Sequence, residues 1–207
     1  MNYMKKLAAI YSKQLISNPL RTNIVTGGIL AAGSDIICQT LIEEQDDEPF
    51  NYKRTLAITT FGMYYNGGLC SFIYPLYARI LPQWFSRSLV RQGIGSTLID
   101  NFIHSPIFYI PAFYISTGIL QGHSFTSSFA TLKHGYQEVM LQTWMMWIPL
   151  QALNFSIVPP RMRVLVLSVG CFVYTIQLDF LLENGRKTLL GEQNAKKFKK
   201  DDSKTCN

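Results

Sequence analysis

Of 207 residues, 48% are hydrophobic and only 15% charged, a balance too apolar for an ordinary water-soluble domain of this length. The net charge of +6 does not point to nucleic acid. The basic residues sit at the edges of apolar segments, where anionic lipid and membrane orientation account for them, and not along one aromatic-rich face.

Residues 1–21 form a basic, amphipathic amino-terminal segment. No acidic residue occurs in the first 34 positions, and Met4, Leu7, Ala8, Tyr11 and Leu15 share one helical stripe from which Lys5, Lys6 and Lys13 are excluded. The pattern fits an import or interfacial segment as well as it fits a solvated basic end. It lacks the short apolar core and small-residue cleavage site of a secretory signal.

Four or five hydrophobic segments follow, at 22–42, 56–81, 94–120, 139–158 and 164–182. Each reaches the length of roughly 20 residues that a helix needs to cross a hydrocarbon core. Residues 22–182 are therefore expected to form an all-α integral membrane helical bundle with four to five transmembrane helices. In the first segment Gly27, Gly28, Ala31, Ala32 and Ser34 make a small-residue sector suited to close helix contact. Asp35 and Gln39 share a face there, with Arg21 or Arg54 as counter-charge. The acidic run at 43–49 separates this segment from the second, which carries Asn66.

In the third segment Asp100 and His104, one helical turn apart, could satisfy each other within the bilayer, while Pro106 and Pro111 are expected to break the helix. His123 and His134 read as surface residues of a polar loop. The fourth segment carries Gln142 and a stripe of Trp144, Trp147, Gln151, Asn154 and Phe155, and it ends at Val158-Pro159. Only residues 159–163 separate it from the fifth, so the two should form a tight hairpin. Arg161 and Arg163 could gate anions or snorkel to headgroups. The fifth segment contains Gln177 and Asp179, and the polar tail at 183–207 has nothing to bury and is expected to be disordered. In a five-span arrangement the basic start, Arg87, Arg91, Arg161 and Arg163 face one side and the acidic run the other. The lysine-rich tail then lands with the acidic run, against the usual charge rule.

Catalytic signatures are absent: the chain has no Gly-x-Ser-x-Gly elbow, no His-Glu-x-x-His and no phosphate-cradling glycine loop. Cys38, Cys70, Cys171 and Cys206 stand singly, with neither metal-ligand nor disulfide-framework spacing. Neither an enzyme, a cofactor nor a metal site is expected.

Several groups of residues resemble a known family, the small multi-pass organelle membrane proteins typified by Mpv-seventeen and the peroxisomal membrane protein of 22 kDa. The early group is Leu15, Pro19, Thr22, Gly27, Gly33-Ser34-Asp35 and Gln39; the middle one is Gly67, Tyr74, Asp100 and Pro106. The late group is Trp147, Gln151, Asn154, Phe155, Val158, Pro159 and Arg163. The chain departs from the family pattern at Gly68, Ser71 and Ile73, where proline, histidine and tryptophan are usual, and also at Asn101, Pro149 and Tyr174.

The resemblance implies a weakly selective channel for small metabolites or ions, acting in mitochondrial homeostasis and in mitochondrial DNA or nucleotide-pool maintenance. It further implies residence in an organelle membrane; the acid-free basic start favours the mitochondrial inner membrane, with the peroxisomal membrane as the alternative. A non-conducting scaffold is the rival reading, and self-association stays open. In the channel reading Asp35, Asp100 and His104 set the field, Gln39, Gln151 and Asn154 offer hydrogen bonds to a partly dehydrated solute, and protonation of His104 tunes conductance. Trp144 and Trp147 anchor the fourth helix at an interface.

Overall fold

The computed structural model describes residues 2–42, 49–86 and 88–176. The expectations for the acidic run, Arg87, Gln177, Asp179, Cys206 and the tail at 183–207 lie outside the described residues, as do the side chains at 1–5, 7 and 8. Among the described residues there are helices and no strands. They are α1 (Asn2–Ser17), α2 (Pro19–Ile42), α3 (52–80), α4 (Gln83–Ser86), α5 (Leu89–Leu120), α6 (Phe125–Ser156) and α7 (163–176). Two of these, α2 and α5, are long and apolar enough to cross a membrane by length and composition.

Polarity in the bundle is inverted relative to a water-soluble core. Ile29 and Met145 are 65% and 81% exposed, and Val25, Phe72, Leu98, Ile107, Leu153 and Val173 also face outward. Meanwhile Asp35, Gln39, Asn66, Asp100, Asn101, His104, Gln151 and Asn154 are buried. So continuous an apolar exterior needs a covering, and buried polar groups need partners.

Small residues set the closest contact. A Cβ placed on Gly27 would collide with the Gly62 carbonyl, one on Gly62 would lie 2.5 Å from the Ala31 Cβ, and one on Gly67 would strike the backbone of Asn23 and Ile24. α2 therefore lies directly on α3 along the predicted seam, and Asn23 donates across it to the Ser71 hydroxyl at 2.9 Å. On the other side α5 packs on α6. α7 reaches into the middle, touching Gly33 of α2 through Phe172 and closing on Trp147 and Leu150 of α6 at Gly170.

Wide π-helical turns occur at Cys38–Ile42, Gly62–Leu69 and Asp100–Tyr109. Each contains a buried polar residue of interest, respectively Gln39, Asn66, and Asp100 with His104. Such turns add a residue to the helical circuit and re-aim the side chains. They also correct one expectation, because Pro106 and Pro111 do not break α5. Pro106 lies inside the π-helical stretch and Pro111 just after it, and the helix runs on through both to Leu120. Tyr136 of α6 donates its hydroxyl to the Pro106 carbonyl at 3.0 Å.

One further boundary differs from expectation. α6 begins at Phe125, far ahead of the apolar stretch, because Ser124 caps it by accepting from the Ser127 N–H. His134 is therefore an exposed helical residue and not part of a loop. The hairpin between α6 and α7 is as tight as expected, a single 3₁₀ turn at Pro160–Met162.

Candidate functional site

Two polar assemblies occupy the interior, at different heights. The first is built on Asp35, which is fully buried on α2. Its Oδ2 accepts from Thr55 Oγ1 at 2.6 Å and Gln39 Nε2 at 2.7 Å, and Arg54 Nε lies 2.7 Å from Oδ1. Gln39 Oε1 accepts the Asn51 N–H at 2.8 Å, fixing the start of α3. A carboxylate removed from water is tolerable only when charge and lone pairs are matched, and these partners supply both.

The second assembly joins α3, α5 and α6 around Asp100. Tyr77 Oη and His104 Nδ1 approach Oδ1 at 2.8 and 3.0 Å, while Gln151 Nε2 donates to Oδ2 at 2.6 Å. The same amide reaches the Tyr74 hydroxyl at 2.7 Å, and Tyr65 Oη meets His104 Nε2 at 3.1 Å. A neutral imidazole with its proton on Nδ1 serves both neighbours, donating to the carboxylate and accepting from the phenol. From Gln151 the chain of bonds continues: Asn154 Nδ2 donates to Gln151 Oε1 at 2.9 Å and to the Arg163 carbonyl at 3.3 Å.

Of the six sequence-predicted lining residues, the structure brings together Asp100, His104, Gln151 and Asn154. Asp35 and Gln39 form the separate assembly. Thr55, held by Asp35, and Tyr74, held by Gln151, are about 28 Å apart along α3 at ~1.5 Å per residue.

Between these levels lies a cavity of about 380 Å³, walled by Arg54, Tyr109, Phe113, Tyr114, Trp147 and Tyr174 among others, with exposed His123 and Thr131 at its rim. A second void of about 20 Å³ is bounded by Cys70, Tyr74, Asp100, His104, Ser105 and Gln151. It has room for about one water. Tyr109, Thr143 and Trp147 border both spaces.

The aromatic and basic residues of the late motif behave differently from expectation. Trp147 is buried in the apolar core with Phe61, Tyr65 and Phe155, not held at a lipid–water boundary. Trp144 is half-buried and donates Nε1 to the Asn101 carbonyl at 2.9 Å. Pro159 stays exposed, ending α6 ahead of the 3₁₀ turn. Arg163 is buried instead of snorkelling, because the end of α6 leaves carbonyls unpaired. Its Nη2 and Nε donate to the Phe155 and Val158 carbonyls at 2.9 and 3.3 Å, and its guanidinium lies 5.4 Å from the Phe155 ring centroid.

Sequence reasoning missed Tyr65 and Tyr77, and named Tyr74 only for its family match. Tyr65, Tyr74 and Tyr77 lie in the apolar segment at 56–81. The available signal was their hydroxyls, since a phenol inside an apolar bundle has to find a polar partner. Among the described residues no three metal-ligand side chains converge.

No solved structure matches the chain. Residues 118–179 match the model of the Mpv17 / PMP22 family. The chain is 30% identical to Protein SYM1 of Debaryomyces hansenii over 199 residues, covering 86% of this chain and 95% of that protein. It is 25% identical to the mitochondrial inner membrane protein Mpv17 of Danio rerio over 170 residues (82% and 93% of the two chains). It is 28% identical to PXMP2/4 family protein 2 of Dictyostelium discoideum over 185 residues (85% and 93%). With the late motif inside the matched segment and a 30%-identical relative aligned over most of both chains, this protein belongs to the Mpv17 / PMP22 family.

Proposed function

We propose that this protein is a multi-pass channel of the mitochondrial inner membrane, weakly selective for small metabolites or ions. The observation that carries this reading is the inverted polarity: an apolar exterior around buried polar side chains and a cavity of about 380 Å³. A five-span bundle of α2, α3, α5, α6 and α7 is supported by outward-facing apolar residues on the three helices beyond α2 and α5, such as Phe72, Met145 and Val173. The mitochondrial placement rests on relatives whose names specify that membrane. Support of mitochondrial DNA or nucleotide-pool maintenance would follow from solute passage, and the peroxisomal membrane is the alternative location.

In this mechanism the cavity is a vestibule. Asp100, His104 and Gln151 present hydrogen bonds at the narrow point, Asn154 braces Gln151, and Asp35 with Gln39 shapes the wide end. Single-channel recording of the purified protein in a planar bilayer, beside an Asp100→Asn, His104→Ala variant, tests it. Discrete openings altered in the variant support the channel; a silent bilayer with folded protein removes it.

The rival is a scaffold, favoured by the mutual satisfaction of the polar groups: Asp100 alone accepts three hydrogen bonds from neighbouring side chains. Under that reading Gln151→Ala lowers stability and leaves solute flux unchanged.

A further inference from the structure

We infer that the cavity of about 380 Å³ is a binding site for a single-chain amphiphilic anion, a medium-chain fatty acid, with its chain among the aromatic side chains and its carboxylate at Arg54. The inference goes beyond the channel reading and stands whether or not the protein conducts.

The cavity runs inward from one end of the bundle. Its mouth lies where α3 begins and α5 gives way to α6, at Arg54, Gln121 and exposed His123, and its floor is Tyr109 with buried Trp147. From Tyr109 to Gln121 the wall covers about 18 Å at ~1.5 Å per residue. A methylene needs about the room of a water molecule, roughly 30 Å³, so the volume holds about a dozen. Extended at about 1.2 Å per bond, the reach of an extended backbone, such a chain is about 14 Å long and fits the depth.

The walls suit hydrocarbon. Phe113, Tyr114, Trp147 and Tyr174 line the space. The hydroxyls of Thr117, Ser128, Thr131, Thr143 and Thr175 each donate to the carbonyl four residues back, so their protons are already placed within their own helices. A hydrocarbon chain needs no hydrogen bond from such a wall. Because lipid tails solvate the chain as well as protein does, its preference for the cavity rests on close contact with the rings and on its head group.

Charge at the mouth fits an anionic head. Among the described residues that line the cavity none is acidic. Asp35 is fully buried on the far side of Arg54, with its Oδ1 2.7 Å from Nε, and the Arg54 side chain is still 25% exposed. A guanidinium carries five N–H donors in a planar fork, enough to serve two carboxylates at once.

Contact quenching by bromine tests the site. With Trp84 and Trp144 replaced by phenylalanine, Trp147 is the one indole left of three. The full chain is reconstituted into phosphatidylcholine liposomes from a detergent without an acyl chain, since a dodecyl detergent would compete. Dodecanoate brominated on its terminal carbon should quench Trp147 saturably, by about half or more, and unlabelled dodecanoate should reverse it. Dodecanoate brominated beside the carboxylate should quench little, because its bromine stays at the mouth. The methyl ester of the terminally brominated acid should need roughly fivefold more in the lipid for the same effect, having lost the charge-assisted contact. Val139→Phe, which puts a ring into the cavity from α6, should abolish the saturable quenching in protein that keeps its melting transition. Quenching that rises linearly and equally with both bromine positions, or none from the terminal bromine, overturns the site. An ester as potent as the acid overturns the role of Arg54.

In planar bilayers a bound chain fills the space a solute would cross, so saturating dodecanoate should suppress openings of the same protein. Openings unmoved by it overturn the occupancy of the cavity. Saturable quenching in a protein that never opens supports the site and removes the channel alone.

Discussion

Gln151 Nε2 donates to Asp100 Oδ2 at 2.6 Å while also reaching Tyr74 Oη at 2.7 Å, so one amide of α6 ties α5 and α3 together inside the bundle. Replacing it with alanine strands a carboxylate oxygen and a phenol, and leaves Asn154 without the Gln151 oxygen. The expected cost is about 1–3 kcal/mol, because each hydrogen bond to a charged group is strong but bonds inside membrane bundles average less. Gln151→Glu should cost more than Gln151→Ala at neutral pH, since it sets a second carboxyl at hydrogen-bond distance from Asp100. Thermal unfolding of the detergent-solubilised protein ranks the two. The reverse order would mean that the Asp100 carboxylate is not the partner that matters.

At the other level, Asp35 and Arg54 should behave as a coupled pair. Arg54→Gln leaves a buried carboxylate with only its neutral donors, and Asp35→Asn removes the carboxylate facing the guanidinium. The double variant should be less destabilised than the sum of the two. A coupling energy of roughly 1–3 kcal/mol is expected from a double-mutant cycle for a pair with one fully buried member. Additive effects would show that the 2.7 Å contact contributes nothing of its own.

How legible was this in the sequence? The i, i+4 pairs Asp35/Gln39 and Asp100/His104 were readable because a turn of helix puts them in reach of each other, and both pairs are bonded. The small-residue sector of α2 was readable for the same reason. What periodicity could not reveal was the partner across helices: that Gln39 meets Asn51 and Thr55, or that Gln151 meets Asp100, depends on register between segments. The π-helical turns were equally hidden, since Pro106 carries a strong local signal for a helix break that surrounding contacts override. The separation of Asp35 from Asp100 is a fact of the third dimension, because both read simply as polar residues inside apolar segments.

Glycine substitutions should divide by location. Gly67→Ala drives a methyl into the backbone of Asn23 and Ile24, where no rotamer change can relieve it, and should cost about 1–3 kcal/mol as an overpacked contact. Gly135→Ala meets nothing within 4 Å in the middle of α6 and should stabilise by up to about 1 kcal/mol through helix propensity. Gly122 sits at φ 95° in the turn before α6, so Gly122→Ala should destabilise despite open space around it. Melting temperatures of the three variants check the ordering. A neutral Gly67→Ala would mean that α2 and α3 are not in such close contact.

Arg163 should tolerate no conservative replacement. Its planar fork bridges the Phe155 and Val158 carbonyls while its face covers the Phe155 ring, closing α6 at the point where Val158-Pro159 ends it. Lysine keeps the charge but offers a single point of donation and no plane to stack, so it cannot hold both carbonyls in that geometry. Arg163→Lys should therefore lose most of what Arg163→Leu loses, about 1–2 kcal/mol, from unpaired carbonyls at the helix end. Hydrogen exchange localised to residues 155–165 reads the effect directly: both variants should speed exchange there and leave the α2–α3 seam unchanged. If lysine restores full protection, positive charge alone is what the α6–α7 hairpin requires.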